Sequence, residues 1–224
     1  MSEIYMVRHG QASLGAANYD KLSELGHEQS RLLGEYFRSC ELEFDYIYRG
    51  DMVRHDETAQ GIAKGLDVEF NDVHVMPELN EFDFKTLIAA FVKQHPDKGL
   101  PNTASVREYY HLLKQAMHEW SKDRLEGDLA ETWSEFHGRV ERAYGHIQSE
   151  RKGKVLVVSS GGTNSMLLAQ VLKAPAETVV ELNLQARNTG VSHFFYNQHA
   201  MRLTSFNNTP HLDTPEKREF ITFS

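Results

Sequence analysis

The sequence predicts an α/β fold, specifically a three-layer α/β/α sandwich whose central sheet is mostly parallel and carries an inserted helical lobe. Three observations predict it. Short apolar runs of strand length alternate with stretches whose apolar residues recur at helical spacing. The most apolar run, Lys154–Ser159, is typical of a central strand that is covered on both faces. From Phe84 to about Glu150 no strand pattern occurs, which indicates the inserted lobe.

The first half of the chain supplies two strands, each followed by a helix. Glu3–Val7 is an apolar run that predicts a buried strand ending in a loop. Ser23 is the expected N-cap of the next helix, which continues at helical spacing to about Cys40. Phe44–Tyr48 predicts the second strand, and a helix over about Met52–Lys64 follows it.

The middle of the chain predicts one more strand and then only helices. Gly65 is expected to end the preceding helix, because glycine commonly follows the last helical turn. Val73–Met76 has the pattern of a third, short strand. Within the lobe, Ser105–Lys122 and Leu129–Ser149 carry long helical patterns.

The remaining elements complete the sheet. Lys154–Ser159 is the fourth strand and leads through two glycines into a helix over Asn164–Leu172, which is expected to end before Pro175. Val191–Asn197 and Met201–Phe206 are separated by three residues and predict a hairpin that closes the sheet. The polar tail after this hairpin is expected to be loosely held unless its few apolar residues dock it.

Length and composition describe an ordinary globular chain. The 224 residues, 40% of them hydrophobic, are enough for one domain over 1–224, with the lobe at about 84–150 inside it. A single cysteine, Cys40, cannot form an internal disulfide, which favours a reducing compartment. No Cys or His pattern has metal-site spacing, so we expect neither a metal nor another cofactor.

Charge and hydropathy exclude several partners. The chain start has too little apolar length for a signal peptide, and no apolar run reaches the roughly 18 residues that a membrane helix needs. We therefore expect a cytoplasmic protein without a membrane partner. The formal net charge of -8 disfavours nucleic-acid binding, and it requires that an anionic substrate be attracted by a local basic pocket.

The tripeptide Arg8-His9-Gly10 stands at the carboxyl end of the first predicted strand, where open α/β sheets bind ligands. The planar guanidinium of arginine can bind two phosphate oxygens, and the glycine lets the backbone approach a ligand closely. A neutral imidazole can attack phosphorus when its other nitrogen donates to a carbonyl. The tripeptide favours a phosphate site, although a core histidine beside a surface arginine is an alternative interpretation of the same three residues.

Further motifs follow the tripeptide in order along the chain. They are Gln11 directly after it, Leu22-Ser23-Glu24-Leu25-Gly26-His27-Glu28-Gln29, Arg54 with Thr58-Ala59, Leu79-Asn80-Glu81, and Gly161-Gly162. Ordered matches in the expected structural contexts are far more specific than any one of them alone. On these motifs, the chain resembles the histidine phosphatase superfamily, also called the phosphoglycerate mutase-like family, over most of its length.

The resemblance implies a role for each matched residue. His9 would be the nucleophile that becomes phosphohistidine, and Arg8 and Arg54 would hold the phosphoryl oxygens. Glu81 would protonate the leaving alkoxide and then activate water. Asp83 is the alternative acid. The residues around Arg54 leave a second interpretation open, a surface ion pair with an acidic neighbour: Asp51, Asp56 or Glu57.

Ser160 departs from the family pattern. In the family, the strand equivalent to Lys154–Ser159 ends in a second histidine that helps to bind the phosphoryl group. We expect the Ser160 hydroxyl and the N–H groups of Gly161 and Gly162 to bind phosphate here. Exchanging a charge-assisted hydrogen bond for a neutral one costs about 1 to 2 kcal/mol, or about ten-fold in affinity or rate. Three residues are candidates to replace the missing imidazole, with packing or surface roles favoured for each: His55, Arg187 and His193.

These residues predict a metal-independent phosphomonoester hydrolase that acts through phosphohistidine on a small phosphorylated substrate, with a phosphoprotein as an open alternative. A phosphoglycerate mutase is a second interpretation, disfavoured because Ser160 removes a phosphate ligand and the lobe has no basic cluster for a substrate carboxylate. A phosphate- or phosphoprotein-binding module without turnover is a third. The presence of both His9 and Glu81 disfavours it. The natural substrate and the oligomeric state stay open.

Overall fold

Six strands and seven α-helices form within the residues that the computed structural model describes, which are 2–13, 20–101 and 103–223. The strands are β1 Ser2–Arg8, β2 Tyr46–Arg49, β3 Val73–Val75, β4 Lys154–Ser159, β5 Val191–Tyr196 and β6 Met201–Asn208. The helices are α1 Glu24–Ser39, α2 Val53–Leu66, α3 Phe84–Gln94, α4 Val106–Trp120, α5 Trp133–Glu150, α6 Gly161–Leu172 and α7 Ala176–Gln185.

The strands form one sheet in the order β3-β2-β4-β1-β5-β6. Strands β1 to β4 are parallel, whereas β5 and β6 form the antiparallel hairpin at one edge. Between β1 and β4 the register pairs Arg8 with Ser159, so the loops after both strands begin side by side. The mostly parallel sheet predicted from the sequence is confirmed.

Helices cover both faces of the sheet. On one face, α1 and α2 pack on the strands through a cluster that includes Val7, Leu33, Ile62, Leu156 and Val158. On the other face, the cluster includes Ile4, Tyr144, Ile147, Val157 and Leu167, from β1, α5, β4 and α6. All of these side chains are at most 3% exposed, which is the density expected of a core buried between layers. The three-layer α/β/α sandwich is confirmed.

The stretch between β3 and β4 contains no strand in the residues that are described there, as the sequence predicts. It contains three long helices instead of the two expected, because α3 was not anticipated. Side chains of α3, α4 and α5 join the core that covers this face of the sheet, including Leu87, Met117 and Phe136. The helical stretch therefore shares a core with the strands.

Helix α2 corrects one prediction. It continues through Gly65 to Leu66, and Asp67 ends it with a left-handed φ of 64°. A Cβ at Gly65 would lie 2.1 Å from the carbonyl oxygen of Arg31 on α1. Gly65 therefore permits the close packing of α1 on α2 and does not end the helix.

Three further features of the fold differ from the sequence-based predictions. Helix α6 starts at Gly161, three residues before the predicted start at Asn164. Helix α7, beginning directly after Pro175, was not anticipated. The tail is held more firmly than expected, because the N–H of Asn188 donates to the carbonyl of Thr222 at 2.9 Å. These three segments all lie next to the end of β1 or β4.

Candidate active site

A pocket of about 490 Å³ opens at the carboxyl ends of β1 and β4. Four residues that the sequence singled out line it together, and we call them the pocket floor: Arg8, His9, Arg54 and Glu81. They come from the end of β1, from α2 and from the turn after β3. Parallel strands present their loops at the same edge of the sheet, which is why segments so distant in sequence meet there.

His9 is buried in this floor, with 5% of its surface exposed. Its Nδ1 atom lies 2.7 Å from the carbonyl oxygen of Gly10, which can only accept, so we assign the ring proton to Nδ1. Burial, together with the charges of Arg54 and Arg8, lowers the pKa of His9 well below its usual value. The imidazole is therefore neutral at pH 7, with the lone pair on Nε2.

Gly10 holds the His9 loop against two helices. Its N–H donates to the hydroxyl of Thr58 on α2 at 3.0 Å. A Cβ at Gly10 would lie 2.5 Å from the carbonyl oxygen of Gly26 on α1. The glycine in the tripeptide is thus required by the close approach of α1, and this contact fixes the backbone next to the imidazole.

Arg8 projects from the end of β1 toward the chain tail. Its guanidinium donates to the carbonyl oxygens of Ala186 and Phe223, the latter at 2.9 Å. Two backbone carbonyls therefore orient the side chain without neutralising its charge. A Cβ at Gly161, which is also a predicted phosphate ligand, would lie 3.3 Å from Arg8 Nε, so α6 begins close beside this guanidinium.

Arg54 lies on the first turn of α2 and is 5% exposed. Its guanidinium Nη1 is 2.6 Å from a carboxylate oxygen of Asp20, which also accepts from the N–H of Val53. The acidic neighbours that the sequence offered as partners bond elsewhere: Asp51 with Asn80, Asp56 with Arg49, and Glu57 with the N–H of Leu22. The surface ion-pair interpretation is therefore wrong, since Arg54 is buried in the pocket floor.

Glu81 follows the 3₁₀ turn Pro77–Leu79, which Arg139 of α5 fixes by donating to the carbonyls of Glu78 and Asn80 at 2.7 and 2.8 Å. One carboxyl oxygen of Glu81 lies 3.0 Å from the amide nitrogen of Gly162, and the other lies 3.2 Å from the amide nitrogen of Phe82. Burial raises the pKa of Glu81, and this effect outweighs the two amides and the floor arginines, which lower the pKa. The carboxyl group therefore keeps its proton to higher pH than an ordinary glutamate.

Two neighbours explain why Glu81, of the acids in this turn, faces the pocket. A Cβ at Gly162 would lie 2.3 Å from Glu81 Oε1, so only glycine leaves room for the carboxyl group. Asp83, the alternative acid, is exposed and accepts from the N–H groups of Lys85 and Thr86 as the N-cap of α3. The Asp83 carboxylate is therefore engaged in capping α3.

Ser160 is fully buried at the start of α6, and the β1–β4 register places it beside His9. The sequence analysis expected the N–H groups of both following glycines to bind an anion. That expectation is wrong for Gly162, whose N–H donates to Glu81. The Ser160 hydroxyl lies 2.7 Å from Nε2 of His55 on α2.

The three candidates for a replacement imidazole or guanidinium have different positions. His193 on β5 lies 2.8 Å from Glu3, and Arg187 donates to Thr209 at 3.3 Å; neither lines the pocket. His55 is fully buried, with its ring centroid 5.8 Å from that of His9. The only sequence signal for this arrangement was that His55 follows Arg54 directly.

The outer part of the pocket is apolar and was missed by the sequence analysis. We call it the pocket wall: Phe82, Phe84, Val106, Tyr109, Tyr110, Leu113, Leu184 and Phe223. The side chains of Val106, Tyr109 and Phe223 are 64%, 37% and 50% exposed, which is unusual for apolar groups gathered at one place. The spacing of the four α4 residues was the available signal, since i, i+3, i+4 and i+7 form one helix face.

Two features are absent from the described residues. These residues contain no group of three or more His, Cys, Asp or Glu side chains that could hold a metal ion. None of their helices combines the length and the apolar character needed to cross a membrane.

The sandwich and the pocket floor define the class: an α/β protein with a pocket lined by arginine, histidine and glutamate side chains at the carboxyl ends of its parallel strands. The family model described as histidine phosphatase superfamily (branch 1) matches residues 4–209. The chain belongs to this superfamily. No curated protein matches it significantly by sequence.

Solved structures with the same fold include both phosphatases and a mutase. A phosphoglycerate mutase from Bacillus anthracis str. Sterne is 21% identical with a TM-score of 0.66, covering 94% of each chain. A phosphoserine phosphatase from Entamoeba histolytica is 21% identical with a TM-score of 0.65, covering 95% of this chain and 100% of its own. The alpha-ribazole phosphatase from Shigella flexneri is 21% identical with a TM-score of 0.66, covering 92% and 96%.

Proposed function

We propose that this protein hydrolyses small phosphomonoesters through a phosphohistidine intermediate on His9. The observation that carries the proposal is the assigned tautomer of His9 within a floor that also holds two guanidinium groups and a carboxyl group. Nδ1–H donates to a carbonyl, so the lone pair of a neutral imidazole is on Nε2. Such a nitrogen is a nucleophile over a wide pH range.

In the first step, His9 Nε2 attacks phosphorus and the bond from phosphorus to the ester oxygen breaks. Arg8 and Arg54 bind the equatorial oxygens, which carry the negative charge in the transition state. Glu81 donates its proton to the leaving oxygen, so the product departs as an alcohol. The raised pKa of Glu81 supports this role, because the acid must be protonated when the substrate binds.

In the second step, the Glu81 carboxylate removes a proton from water and the water oxygen attacks phosphorus. The bond from phosphorus to Nε2 breaks, its electron pair returns to His9, and inorganic phosphate leaves. Glu81 ends the cycle protonated. No metal or redox step is needed to balance either half of the reaction.

The pocket wall supports hydrolysis over a phosphoglycerate mutase reaction. A mutase must bind the carboxylate of its sugar-acid substrate while it returns the phosphoryl group. Apart from the two floor arginines, Lys85 is the only Lys or Arg among the described residues that line the pocket. The apolar wall instead suits a leaving group that is aromatic or aliphatic and uncharged, and the volume suits a small molecule.

A substrate panel tests the function. We expect phosphate release from phenyl and naphthyl phosphates, slower release from phosphoserine and 3-phosphoglycerate, and no transfer between the two positions of phosphoglycerate. Positional transfer faster than hydrolysis would make the mutase interpretation correct. Tight phosphate binding by calorimetry without turnover on any ester would make the protein a binding module.

A further inference from the structure

We propose that His55 is a positioning residue that fixes the Ser160 hydroxyl so that it donates a hydrogen bond to the bound phosphoryl group. The proposal rests on the proposed function, since it concerns the same site. Neither residue lines the open pocket; both are fully buried beneath the floor.

Ser160 is the N-cap residue of α6, yet its hydroxyl makes no capping bond to that helix. Serine at this position ordinarily accepts from an N–H of the first turn. Of those N–H groups, that of Gly162 already donates to Glu81. The Ser160 hydroxyl bonds instead with His55 Nε2 at 2.7 Å, on a segment that parallel pairing holds beside the His9 loop. The hydroxyl therefore serves the pocket floor and not the helix.

The proton on His55 can be assigned from its surroundings. Burial and the nearby charges of Arg54 and Arg49 keep the ring neutral by lowering its pKa, so it carries one proton. Nδ1 is buried and makes no hydrogen bond with the residues that are described. A proton there would be a buried N–H without an acceptor, which is rarer in proteins than an unpaired acceptor. The proton therefore lies on Nε2, and His55 donates to Ser160.

This direction of donation sets the direction of the hydroxyl proton. With its oxygen accepting from His55, Ser160 must point its own proton elsewhere, and a serine hydroxyl otherwise rotates freely. Arg8 pairs with Ser159, so the residues that follow them, His9 and Ser160, are neighbours at the ends of β1 and β4. The phosphoryl group proposed to bind at His9 Nε2 is therefore the acceptor that we assign to the Ser160 proton. The His55 ring packs so closely against Gly50 that a Cβ there would lie 2.3 Å from its Nδ1. Chained donors of this kind polarise one another.

A second histidine–hydroxyl pair in the fold provides a matched control. His211 Nε2 lies 2.8 Å from the hydroxyl of Thr189, its Nδ1 is also buried without a partner in the described structure, and it is 5% exposed. Burial lowers the pKa of His211 to about 3, so it is neutral as well. Neither residue lines the pocket. The two pairs differ in the acceptor of the hydroxyl proton: Thr189 donates to the carbonyl oxygen of Asn188 at 2.7 Å, whereas the proposed acceptor for Ser160 is the phosphoryl group.

The experiment compares His55→Leu, His55→Gln, Ser160→Ala, the double variant His55→Leu/Ser160→Ala, and His211→Leu. We expect His55→Leu and Ser160→Ala each to lower kcat/KM by about 10- to 100-fold, mainly in kcat, as for loss of one transition-state donor. The double variant should lose no more than either single one, because the two residues act as a unit. His55→Gln keeps an N–H donor and should retain most activity.

His211→Leu should lower the melting temperature as much as His55→Leu does, while kcat/KM stays within about two-fold of the wild type. Equal losses of activity in both histidine variants, or multiplied losses in the double variant, would overturn the proposal. If the wild type hydrolyses none of the esters, the proposed function fails separately. Calorimetry with inorganic phosphate then decides: weaker binding in both His55→Leu and Ser160→Ala supports the pair, and unchanged binding overturns it.

Discussion

The floor and the wall of the pocket differ in origin and in chemistry. The floor is charged and at least partly buried, and its side chains come from the end of β1, the turn after β3 and the first turn of α2. The wall is apolar and partly exposed, and it comes mostly from α3, α4 and the chain tail. Under the proposed function, this difference predicts a division of roles, with phosphoryl transfer in the floor and selection of the leaving group by the wall. Changes in the floor should therefore act on kcat, and changes in the wall on KM.

The largest effect is expected from the floor residue that forms the covalent bond. We expect His9→Ala to lower kcat by about 10⁴-fold or more, because the nucleophile has no substitute. Phosphate binding should persist, since Arg8 and Arg54 remain in place. Steady-state kinetics with phenyl phosphate and calorimetry with inorganic phosphate measure the two quantities. Residual activity near the wild-type level would assign the nucleophile to another group.

Glu81→Gln is expected to lower kcat by about 10² to 10⁴-fold, the range for loss of a general acid. The loss should be smaller for a nitrophenyl ester than for an alkyl ester, because a good leaving group needs less protonation. Because glutamine has nearly the same size as glutamate, a loss of activity in this variant is not caused by altered packing. The same loss for both esters would remove Glu81 from the protonation step.

The pH dependence of kcat/KM tests the two floor groups together. The lowered pKa of His9 keeps it neutral, so activity should persist well below pH 6.5. The raised pKa of Glu81 keeps it protonated above the usual range of a glutamate, and activity should fall as pH rises through that raised value. In the Glu81→Gln variant, kcat/KM should no longer fall as the pH rises. A profile that rises toward alkaline pH would contradict both assignments.

Substitutions in the pocket wall should change activity less than substitutions in the pocket floor. Tyr109→Ala and Leu113→Ala are each expected to raise KM for naphthyl phosphate by about ten-fold, which corresponds to about 1.5 kcal/mol of lost apolar burial. They should leave kcat nearly unchanged, and they should not affect a short alkyl phosphate. Val68→Ala is the matched control, since Val68 is 50% exposed and lies outside the pocket. A fall in kcat without a change in KM would show that the wall acts on chemistry.

The fold was predictable where apolar spacing carried the signal. The strands of the sheet follow from apolar runs, and the four residues of the pocket floor follow from short motifs whose order along the chain resembles that of the superfamily. Helix α3 was missed although its apolar residues Phe84, Leu87, Ile88, Phe91 and Val92 recur at helical spacing. Helix α7 was missed because Pro175 was taken only as a stop. Pro175 precedes the first residue of α7, where proline is compatible with a helix start.

The pairing of His55 with Ser160 could not be predicted, because 105 residues separate them and no spacing rule connects α2 with the start of α6. The pocket wall was missed for a related reason. The apolar face of α4 predicts burial, but the sequence does not say whether that face meets the core or a ligand. In α4, Leu112 and Met117 meet the core, Tyr109 faces the pocket, and Leu113 contributes to both.

The most direct test of the account is a rapid-quench reaction with enzyme in excess over phenyl phosphate, stopped in alkali, where phosphohistidine survives. Peptide mass spectrometry and ³¹P NMR then locate the phosphoryl group. We expect transient phosphorylation of His9 at Nε2, formed no later than phenol is released and lost as phosphate appears. Release of phenol and phosphate together, without a phosphorylated His9 at any time, would contradict the central claim.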